Sequence, residues 1–484
     1  VLDEARVEWG FPGAQVGVWT PDGAWIGTTG TAAMNDDRPI TTDEMLLEPF
    51  HSAEKPASEF RCGAEAEKPG VFADFTTFPF DGPRGGVSSV LLDLAKKGWS
   101  QEREYEGGPV LALLKDGASI TLEPGSQLEL SGAPLATAHE IAHEFRAHLA
   151  EIAPISEQLG VSWLGLGFQP FATRADYTFV PKLRYGVMRE YLPKRGAYAL
   201  DMMLRTSTVQ ANYDYSSEED AMRKLRVGLA LAPLTAAMFA NSPFYEGAPF
   251  GGKSYRAKVW LDVDPDRSGL VPHVWKKGAG YKDYVEWALD VPMFMFKRDG
   301  KRVENTGQTF RDFLKNGYEG HRAEMGDYTT HLNTLFPEVR LKKTLEVRGA
   351  DAQNEAMTPA LAALYTGLWY DPQALDEASE LVGDITLEET TAVRAHVWKL
   401  GLGSPFRGGT LRDLAEKVIT IAEGGLSRRK QLDRGHDERV VLQPLTDLVA
   451  KGECPSDALL RDLPTNEADL KREIVRRTAF SLRG

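Results

Sequence analysis

Acidic side chains stand two residues apart, or two residues from a cation, at several points of the chain. Glu65 and Glu67 form one such pair, Glu129 follows a glutamine by two positions, and Glu346 precedes Arg348 by two. Residues two apart on a β-strand project from the same face, so each pair would present its polar groups together. Oxygen ligands on neighbouring strands can hold Mg²⁺, which in turn binds nucleotide phosphates. A solvated strand face is the commoner reason for a single Glu-x-Glu pair, so the spacing alone leaves both interpretations open.

The run from 206 to 214 alternates between short polar and apolar side chains. Such alternation predicts a β-strand with one face in the core. The polar face has short hydrogen-bonding groups rather than long charged ones, which suits a strand that lines a ligand cavity. An antiparallel edge strand with a wetted face is the alternative on alternation alone. The alternating polar side chains of this run are Thr206, Thr208, Gln210, Asn212 and Asp214.

The elements that must position these residues are mainly antiparallel-looking strands interspersed with helices. This pattern favours an α+β fold over a doubly wound parallel sheet. Apolar spacing predicts long helices over 134–159 and 218–240, and residues 255–262 are interpreted as a strand. Beyond about residue 355 the chain is predicted to be helical, over 358–370, 387–399, 410–424, 438–450 and 466–480.

Length and composition limit the classes of function. At 484 residues, the chain is long enough for two or three ordinary domains or one large one. The net charge of −14 and the pI of about 5.3 argue against nucleic acid and anionic membranes as principal partners. No apolar run approaches a membrane span, and the amino terminus lacks the layout of a secretory signal. Because Cys62 and Cys454 are the two cysteines, we predict a cytoplasmic protein without a disulfide framework.

Residues 1–44 are interpreted as an appended segment before a catalytic domain that spans 45–484. Residues 10–27 predict two strands joined by a Pro-Asp-Gly turn, and they resemble the first hairpin of β-lactamase-like serine hydrolases. Ser52 and Lys55 have the Ser-x-x-Lys spacing of the nucleophile in that class. The partner motifs Ser/Tyr-x-Asn and Lys-Thr-Gly are missing downstream. A serine hydrolase is therefore kept only as an alternative function.

Two further motifs match known sites without the context that those sites require. Residues 139–143 read His-Glu-Ile-Ala-His on a predicted helix, as in zinc proteases, but a third ligand at a convincing spacing is absent. Residues 247–254 satisfy the P-loop expression. A P-loop needs a strand before it and a helix after it, whereas here a helix precedes and a strand is predicted to follow. Neither motif is interpreted as a functional site.

Several long motifs follow one another along the chain. They read Asp201-Met-Met-Leu-Arg-Thr, Thr208-Val-Gln-Ala-Asn, Phe239-Ala-Asn-Ser-Pro-Phe, Asp264-Pro-Asp-Arg-Ser-Gly, Ala288-Leu-Asp-Val-Pro-Met, Phe336-Pro-Glu-Val-Arg-Leu-Lys and Glu346-Val-Arg-Gly-Ala-Asp. With these motifs in this order, residues 45 to 465 resemble the plant and proteobacterial type of glutamate–cysteine ligase. Several separate motifs are a far more specific signal than one short expression.

The resemblance implies both a fold and a reaction. The fold would be the glutamine-synthetase-like funnel, a curved and mainly antiparallel sheet with helices outside. The reaction would be the ATP- and Mg²⁺-dependent joining of the glutamate γ-carboxylate to the cysteine amine through a γ-glutamyl phosphate, the first step of glutathione synthesis. Glutamate, cysteine and ATP are then the partners of a monomer or homodimer. A ligase that uses another amine acceptor is the nearest alternative.

The resemblance also implies site residues. The implied metal ligands are Glu65, Glu67, Glu123, Glu129 and Glu346. Arg348 would stabilise the transferring phosphoryl group, with Glu65 and Glu129 as the other catalytic residues. The implied nucleotide contacts are Arg348, Lys342 and Thr206. The implied substrate contacts are Arg184, Arg256, Thr208, Gln210 and Asn212. One departure is Phe294, where plant enzymes typically carry a tyrosine.

Overall fold

A computed structural model of the chain describes residues 13–20, 23–30, 42–298 and 301–481. At its centre lies an eight-stranded sheet in which every neighbouring pair is antiparallel. The strands are β1 (Cys62–Lys68), β2 (Ser100–Glu102), β3 (Ala112–Lys115), β4 (Ala118–Leu122), β5 (Leu128–Ser131), β6 (Thr208–Tyr213), β7 (Val339–Leu341) and β8 (Leu345–Asp351). Their order in the sheet is β7-β8-β6-β1-β5-β4-β3-β2, so strands far apart in the chain become neighbours.

Seventeen α-helices accompany the sheet in the described residues, which confirms the predicted α+β class. They are α1 (Thr42–His51), α2 (Val87–Ala95), α3 (Ala138–Leu159), α4 (Leu183–Tyr191), α5 (Ala199–Arg205), α6 (Glu218–Met238), α7 (Tyr255–Val259), α8 (Tyr281–Asp290), α9 (Phe310–Asn316), α10 (Met325–Leu332), α11 (Thr358–Trp369), α12 (Pro372–Val382), α13 (Leu387–Leu400), α14 (Leu411–Arg429), α15 (Arg439–Lys451), α16 (Pro455–Leu459) and α17 (Glu467–Thr478).

Short paired strands lie outside the main sheet. The amino-terminal hairpin predicted within residues 10–27 is confirmed, while 1–12, 21–22 and 31–41 lie outside the described residues. The pairs are Gly13–Thr20 with Gly23–Gly30, Gly70–Phe72 with Val161–Trp163, Phe244–Tyr245 with Ala248–Pro249, Ser268–Gly269 with Phe336–Pro337, Phe296–Arg298 with Lys301–Val303, Pro405–Phe406 with Gly409–Thr410, and Leu432–Asp433 with His436–Asp437.

Strand β6 has one face in the core and one polar face, as its alternation predicts. Val209, Ala211 and Tyr213 are buried in one large apolar cluster together with side chains of α6 and α11. Because successive residues of a strand point to opposite faces, this packing turns the alternate polar residues to the other side of the sheet. The apolar half of β6 therefore fixes the orientation of its polar half.

Residues 255–262 were predicted as a strand, and this prediction is wrong. They begin with helix α7, whose first turn is capped by Ser254: the backbone N–H of Ala257 donates to its Oγ over 2.9 Å. A serine at the N-cap position satisfies an otherwise unpaired backbone donor and so favours a helix start. The P-loop interpretation gains nothing from this helix, because Lys253 is ion-paired with Asp457.

The remaining predicted helices are found close to their expected positions. Helix α3 begins at Ala138 because Thr137 and Glu140 form a capping box there. The five predicted carboxy-terminal helices are all present, and α12 and α16 are two more that the apolar spacing did not indicate. In the described part of the chain, no helix combines the length and apolarity that crossing a bilayer requires.

Candidate active site

Strand pairing brings the predicted acidic and amide residues together on one face of the sheet, although they come from four separate strands. Directly opposed side chains in an antiparallel pair lie about 5 Å apart and interact. The facing pairs are Glu65 with Gln210, Glu67 with Glu129, and Asn212 with Glu346. We call this surface the polar face; it comprises these six residues together with Thr208 and Arg348.

Glu67 lies in the acidic part of the polar face and is held by β6. The backbone N–H of Thr208 donates to it over 2.9 Å, the Thr208 hydroxyl over 3.0 Å, and the Gln210 amide over 3.2 Å. Burial, followed by the negative charges of Glu123 and Glu129, raises the pKa of Glu67 well above its usual range. The buried carboxylates of Glu67 and Glu129 and the half-buried one of Glu123 thus repel one another.

Glu129 and Glu65 have the same imbalance of charge. Burial and then Glu123 raise the pKa of Glu129, whose carboxylate accepts a hydrogen bond from Thr121. Burial, then the charges of Glu346 and Glu129, raise the pKa of Glu65 to about 7. The acidic part of the polar face is therefore poised to take up positive charge, either as protons or as a metal ion.

Glu346 lies in the basic part of the polar face, where cations outnumber acids. Its carboxylate accepts from Arg340 Nε over 2.7 Å, from Arg348 Nη1 over 2.8 Å and from Lys342 Nζ over 3.2 Å. Although burial favours the neutral acid, Arg340, Lys342 and Arg348 hold the pKa of Glu346 well below its usual range. Arg348 also donates to Gln210 Oε1 over 2.7 Å, which links the basic and acidic parts.

Arg340 was missed at the sequence level, and it is the most buried cation around Glu346. It stands directly opposite Glu346 in the β7–β8 pairing and is 7% exposed. Its Nη1 donates to the carbonyls of Asn333 and Leu335 over 3.0 and 2.9 Å. The signal was available, because Arg340 and Lys342 alternate with apolar neighbours and so share a strand face.

Other predicted site residues are less open to a ligand. Thr206 is buried, and its hydroxyl donates to the Met202 carbonyl over 2.6 Å, so its donor is used at the end of α5. Arg256 is only 4% exposed, and its two Nη atoms donate to backbone carbonyls of β8. Arg184 is exposed instead, with a long contact of 3.3 Å from its Nη2 to the Tyr185 hydroxyl. Of these three residues, Arg184 has the donors that are free to meet a substrate.

Similarity to known proteins decides the family. The family model described as glutamate–cysteine ligase family 2 matches residues 91–477. The chain belongs to the glutamate–cysteine ligase family. Among its relatives, the chloroplastic glutamate–cysteine ligase B of Oryza sativa subsp. japonica is 41% identical over 431 residues, which cover 88% of this chain and 85% of the relative. The chloroplastic glutamate–cysteine ligase of Brassica juncea is 42% identical over 425 residues, which cover 87% and 81%.

A solved structure supports the fold of this glutamate–cysteine ligase family member. The glutamate–cysteine ligase of Francisella tularensis in complex with AMP superposes with a TM-score of 0.54 at 12% identity, over 88% of this chain and 90% of that chain. At this identity the likeness concerns the fold alone. The fold, the family and the ligase class of enzyme all agree with the resemblance found in the sequence.

The prediction of a cytoplasmic protein is wrong. The family relatives from Oryza sativa, Brassica juncea and Arabidopsis thaliana are all named as chloroplastic, and this finding contradicts the cytoplasmic prediction. The prediction rested on the scarcity of cysteine, which separates reducing from oxidising compartments but does not separate one reducing compartment from another. Both cysteines are buried and free.

The serine-hydrolase alternative and the zinc-protease motif find no support in the described residues of this ligase family member. Lys55 is ion-paired with Asp214 over 2.9 Å, so the lysine predicted for a serine hydrolase is engaged elsewhere, and Ser52 is exposed. In the zinc-protease motif His139 is buried, and His143 contacts Asp433 over 3.0 Å.

The polar face of this ligase family member fits Mg²⁺ through its charge rather than through a closed cage. Among the described residues, no three His, Cys, Asp or Glu side chains already stand as a metal-holding group. Mg²⁺ does not require such a group, since it commonly takes one or two carboxylates and completes its shell with phosphate oxygens and water. Glu67 and Glu129, whose pKa values are raised by burial and then by the negative charge of Glu123, are the carboxylates that a divalent cation would stabilise most.

A pH experiment follows from Glu65. Its pKa is raised from 4.5 to about 7 by burial and like charge, so between these values the native state binds more protons than the unfolded state. Stability contributed at this site is therefore lost as pH rises from about 4.5 to about 7. In a metal-free sample, the free energy of unfolding of the wild type is expected to fall by about 2 kcal/mol more than that of Glu65→Gln between pH 5 and pH 8. Melting curves of both proteins at these two pH values, with a chelator present, would measure the difference. Parallel wild-type and variant pH profiles would contradict the burial of this charge.

Proposed function

We propose that this protein joins the γ-carboxylate of glutamate to the amine of cysteine, with cleavage of ATP to ADP and phosphate. The observation that carries the proposal is the polar face, in which unbalanced carboxylates on β1 and β5 adjoin three cations. These are Arg340 of β7, Lys342 directly after β7 and Arg348 of β8. Phosphorylation of a carboxylate by ATP brings several negative oxygens together. It requires carboxylates that hold a metal ion and cations that contact the phosphates. Phosphoryl transfer depends mainly on such positioning and charge neutralisation.

The chemistry would proceed in two steps. An oxygen of the glutamate γ-carboxylate attacks the γ-phosphorus of ATP, the bond to the β-phosphate oxygen breaks, and ADP leaves. The cysteine nitrogen then attacks the acyl carbon of the γ-glutamyl phosphate, phosphate leaves, and the nitrogen gives up a proton. Arg348, which is 15% exposed and hydrogen-bonded to Gln210, is placed to contact the transferring phosphoryl group. Lys342 is the second cation proposed to contact phosphate.

Mg²⁺, when bound, would neutralise charge on the triphosphate and so lower the barrier to attack by a carboxylate. We propose that Glu65, Glu67, Glu123 and Glu129 hold it. Glu346, the fifth predicted ligand, is already neutralised by three cations and needs a metal ion least. Thr208 and Gln210 orient Glu67 by donating to its carboxylate, and Asn212 orients Glu65 over 2.7 Å.

Arg184 is proposed to bind the α-carboxylate of glutamate. Its guanidinium has free donors near Glu123 and Glu129, and a planar fork suits a carboxylate better than a lysine does. Arg184→Lys is expected to raise KM for glutamate by about tenfold with little change in kcat, because an interaction made equally in ground and transition states is weakened. Initial rates at varied glutamate would measure this, and an unchanged KM would remove Arg184 from the substrate site.

The test of the proposed function is a coupled assay of ADP release with product analysis. Glutamate alone and cysteine alone are expected to give little ADP, whereas both together with ATP and Mg²⁺ give ADP and a γ-glutamyl dipeptide. Competition between cysteine, 2-aminobutyrate and dipeptides then identifies the amine acceptor. If no amine yields a γ-glutamyl product, the proposed function fails; if another amine outcompetes cysteine, the ligase with a different acceptor replaces it.

A further inference from the structure

Strand β8 has an irregular pairing with β6 at Arg348. Val209 of β6 pairs with Ala350 and Ala211 pairs with Val347, so two residues of β8, Arg348 and Gly349, stand opposite the single residue between them in β6. This two-against-one arrangement is a β-bulge. Bulges disrupt the hydrogen-bond ladder locally and re-aim the side chain of the bulged residue.

Arg256, from the short helix α7, bonds to both bulged residues. Its Nη2 donates to the carbonyl of Arg348 over 2.7 Å and its Nη1 to the carbonyl of Gly349 over 3.2 Å. Carbonyls left without ladder partners inside a protein cost free energy unless another donor meets them. One planar guanidinium with parallel donors meets both at once, which a lysine could not do.

Gly349 lies close to the end of the Glu338 side chain. A Cβ at this position would stand 3.2 Å from Glu338 Oε2 and 3.7 Å from the carbonyl of Ala232. A methyl group here would have to displace the end of the Glu338 side chain slightly, whereas the backbone of the bulge is confined by Arg256 at its carbonyls. This confinement leaves the bulge little freedom to change the direction of Arg348.

The Arg348 side chain shares the strand face of Glu346, two residues before it, and Arg348 is the first residue of the bulge. Its Nη1 lies 2.7 Å from Gln210 Oε1 and 2.8 Å from Glu346 Oε2, so the guanidinium stands between the acidic and basic parts of the polar face. In a regular strand, a single residue of β8 would stand opposite Gln210. Here Arg348 and Gly349 both do. The bulge is the local feature that distinguishes this position.

We infer that Arg256 is a positioning residue, which holds the β8 bulge and thereby aims Arg348 at the transferring phosphoryl group. The inference rests on the proposed function for the role of Arg348, and it departs from the substrate contact that the sequence predicted for Arg256. A substrate carboxylate would need guanidinium donors that are open, whereas Arg256 is 4% exposed and both of its Nη atoms are used.

The space beside Arg256 agrees with this role. Among the described residues its Nε has no hydrogen-bond partner. Arg256 also lines a cavity of about 20 Å³ together with Trp260, Glu338 and Arg394. A volume of this size accommodates about one water molecule and not an amino acid. The cavity beside Arg256 is therefore too small for glutamate.

A double-mutant cycle tests the inference. Arg256→Lys keeps the charge but cannot meet both carbonyls, and it is expected to lower kcat about tenfold while KM for glutamate stays within about twofold. In an Arg348→Lys background the same change is expected to cost less than about twofold, because the group that it positions is already altered. Arg394→Lys is the matched control: Arg394 lines the same cavity but bonds to Glu338 and the Trp260 carbonyl, and its change is expected to leave the cycle unaffected.

Two results would overturn the inference. One is a raised KM for glutamate at unchanged kcat, which would make Arg256 a substrate ligand; the other is full additivity with Arg348→Lys. Arg256→Gln keeps one amide donor for one of the two carbonyls, so it is expected to lose part of kcat, and it carries the test if Arg256→Lys does not fold. An unaltered kcat in Arg256→Gln would then contradict the inference.

The same double-mutant cycle can be measured with the dissociation constant for ATP as its readout, which requires no turnover. If the wild-type protein releases no ADP with glutamate and any amine, the proposed function fails, while coupling between positions 256 and 348 in ATP affinity still supports the positioning role. If the wild type is active and the ATP cycle is additive, the positioning role fails and the proposed function stands.

Discussion

Replacing Arg348 by alanine is expected to lower kcat for ADP formation about a thousandfold, since cationic groups that stabilise a transferring phosphoryl group contribute factors of this order. The fold should persist, because Glu346 keeps Arg340 and Lys342 as partners over 2.7 and 3.2 Å. The physical reason for the loss is that charge developing on the phosphoryl oxygens would lose its one guanidinium that is both partly exposed and linked to Gln210. Steady-state rates with saturating ATP and glutamate measure the effect.

The control for this prediction is Arg311→Ala, which removes an exposed arginine paired with Asp290 and Glu286. It should leave kcat unchanged, and melting temperatures of both variants should lie near that of the wild type. Arg348→Lys should retain part of the rate, because the charge remains while the fork geometry is lost. A kcat for Arg348→Ala within about threefold of the wild type would show that the polar face does not use this arginine in transfer.

Replacing Glu67 by glutamine is expected to lower activity at limiting Mg²⁺ by about a hundredfold, with much of the loss recovered at high Mg²⁺. The same change should stabilise the metal-free protein or leave it unaffected. Burial and the charges of Glu123 and Glu129 raise the pKa of Glu67, so its ionised form is disfavoured in the native state at neutral pH. A neutral isostere removes that penalty and still offers an oxygen to Thr208.

Mg²⁺ titrations of activity and melting curves of metal-free samples test the two parts of this prediction separately. Glu388→Gln, at an exposed position of α13, is the control for a lost carboxylate and should change neither measurement. A Glu67→Gln protein that is destabilised without metal, yet has the wild-type Mg²⁺ dependence, would assign Glu67 to the fold instead of the metal site.

The polar face could be anticipated wherever strand alternation was strong. Thr208, Gln210 and Asn212 were predicted to share a face because Val209 and Ala211 needed the core, and this packing dominates the free energy of the sheet. The pairing of Glu67 with Glu129 could not be derived in the same way. It depends on which strands become neighbours, and sequence spacing carries no information about register between strands that are distant in the chain.

Arginines were the hardest residues to interpret from the sequence. Arg184 and Arg256 both stood in family-like motifs, yet one is exposed with open donors and the other is buried against backbone carbonyls. The difference arises from the bulge in β8 and from helix α7, which was predicted as a strand. A long side chain with five donors can serve a ligand or the backbone, and only the neighbouring elements decide between these uses.

The central claim is that the polar face activates the glutamate γ-carboxylate by phosphorylation. Glutamate labelled with ¹⁸O in that carboxylate tests it most directly, because the oxygen that attacks phosphorus leaves with phosphate when the amine displaces it. With ATP, Mg²⁺ and cysteine, we expect mass spectrometry to find one labelled oxygen in each phosphate formed. Phosphate free of label, in a reaction that still yields the γ-glutamyl dipeptide, would contradict the account.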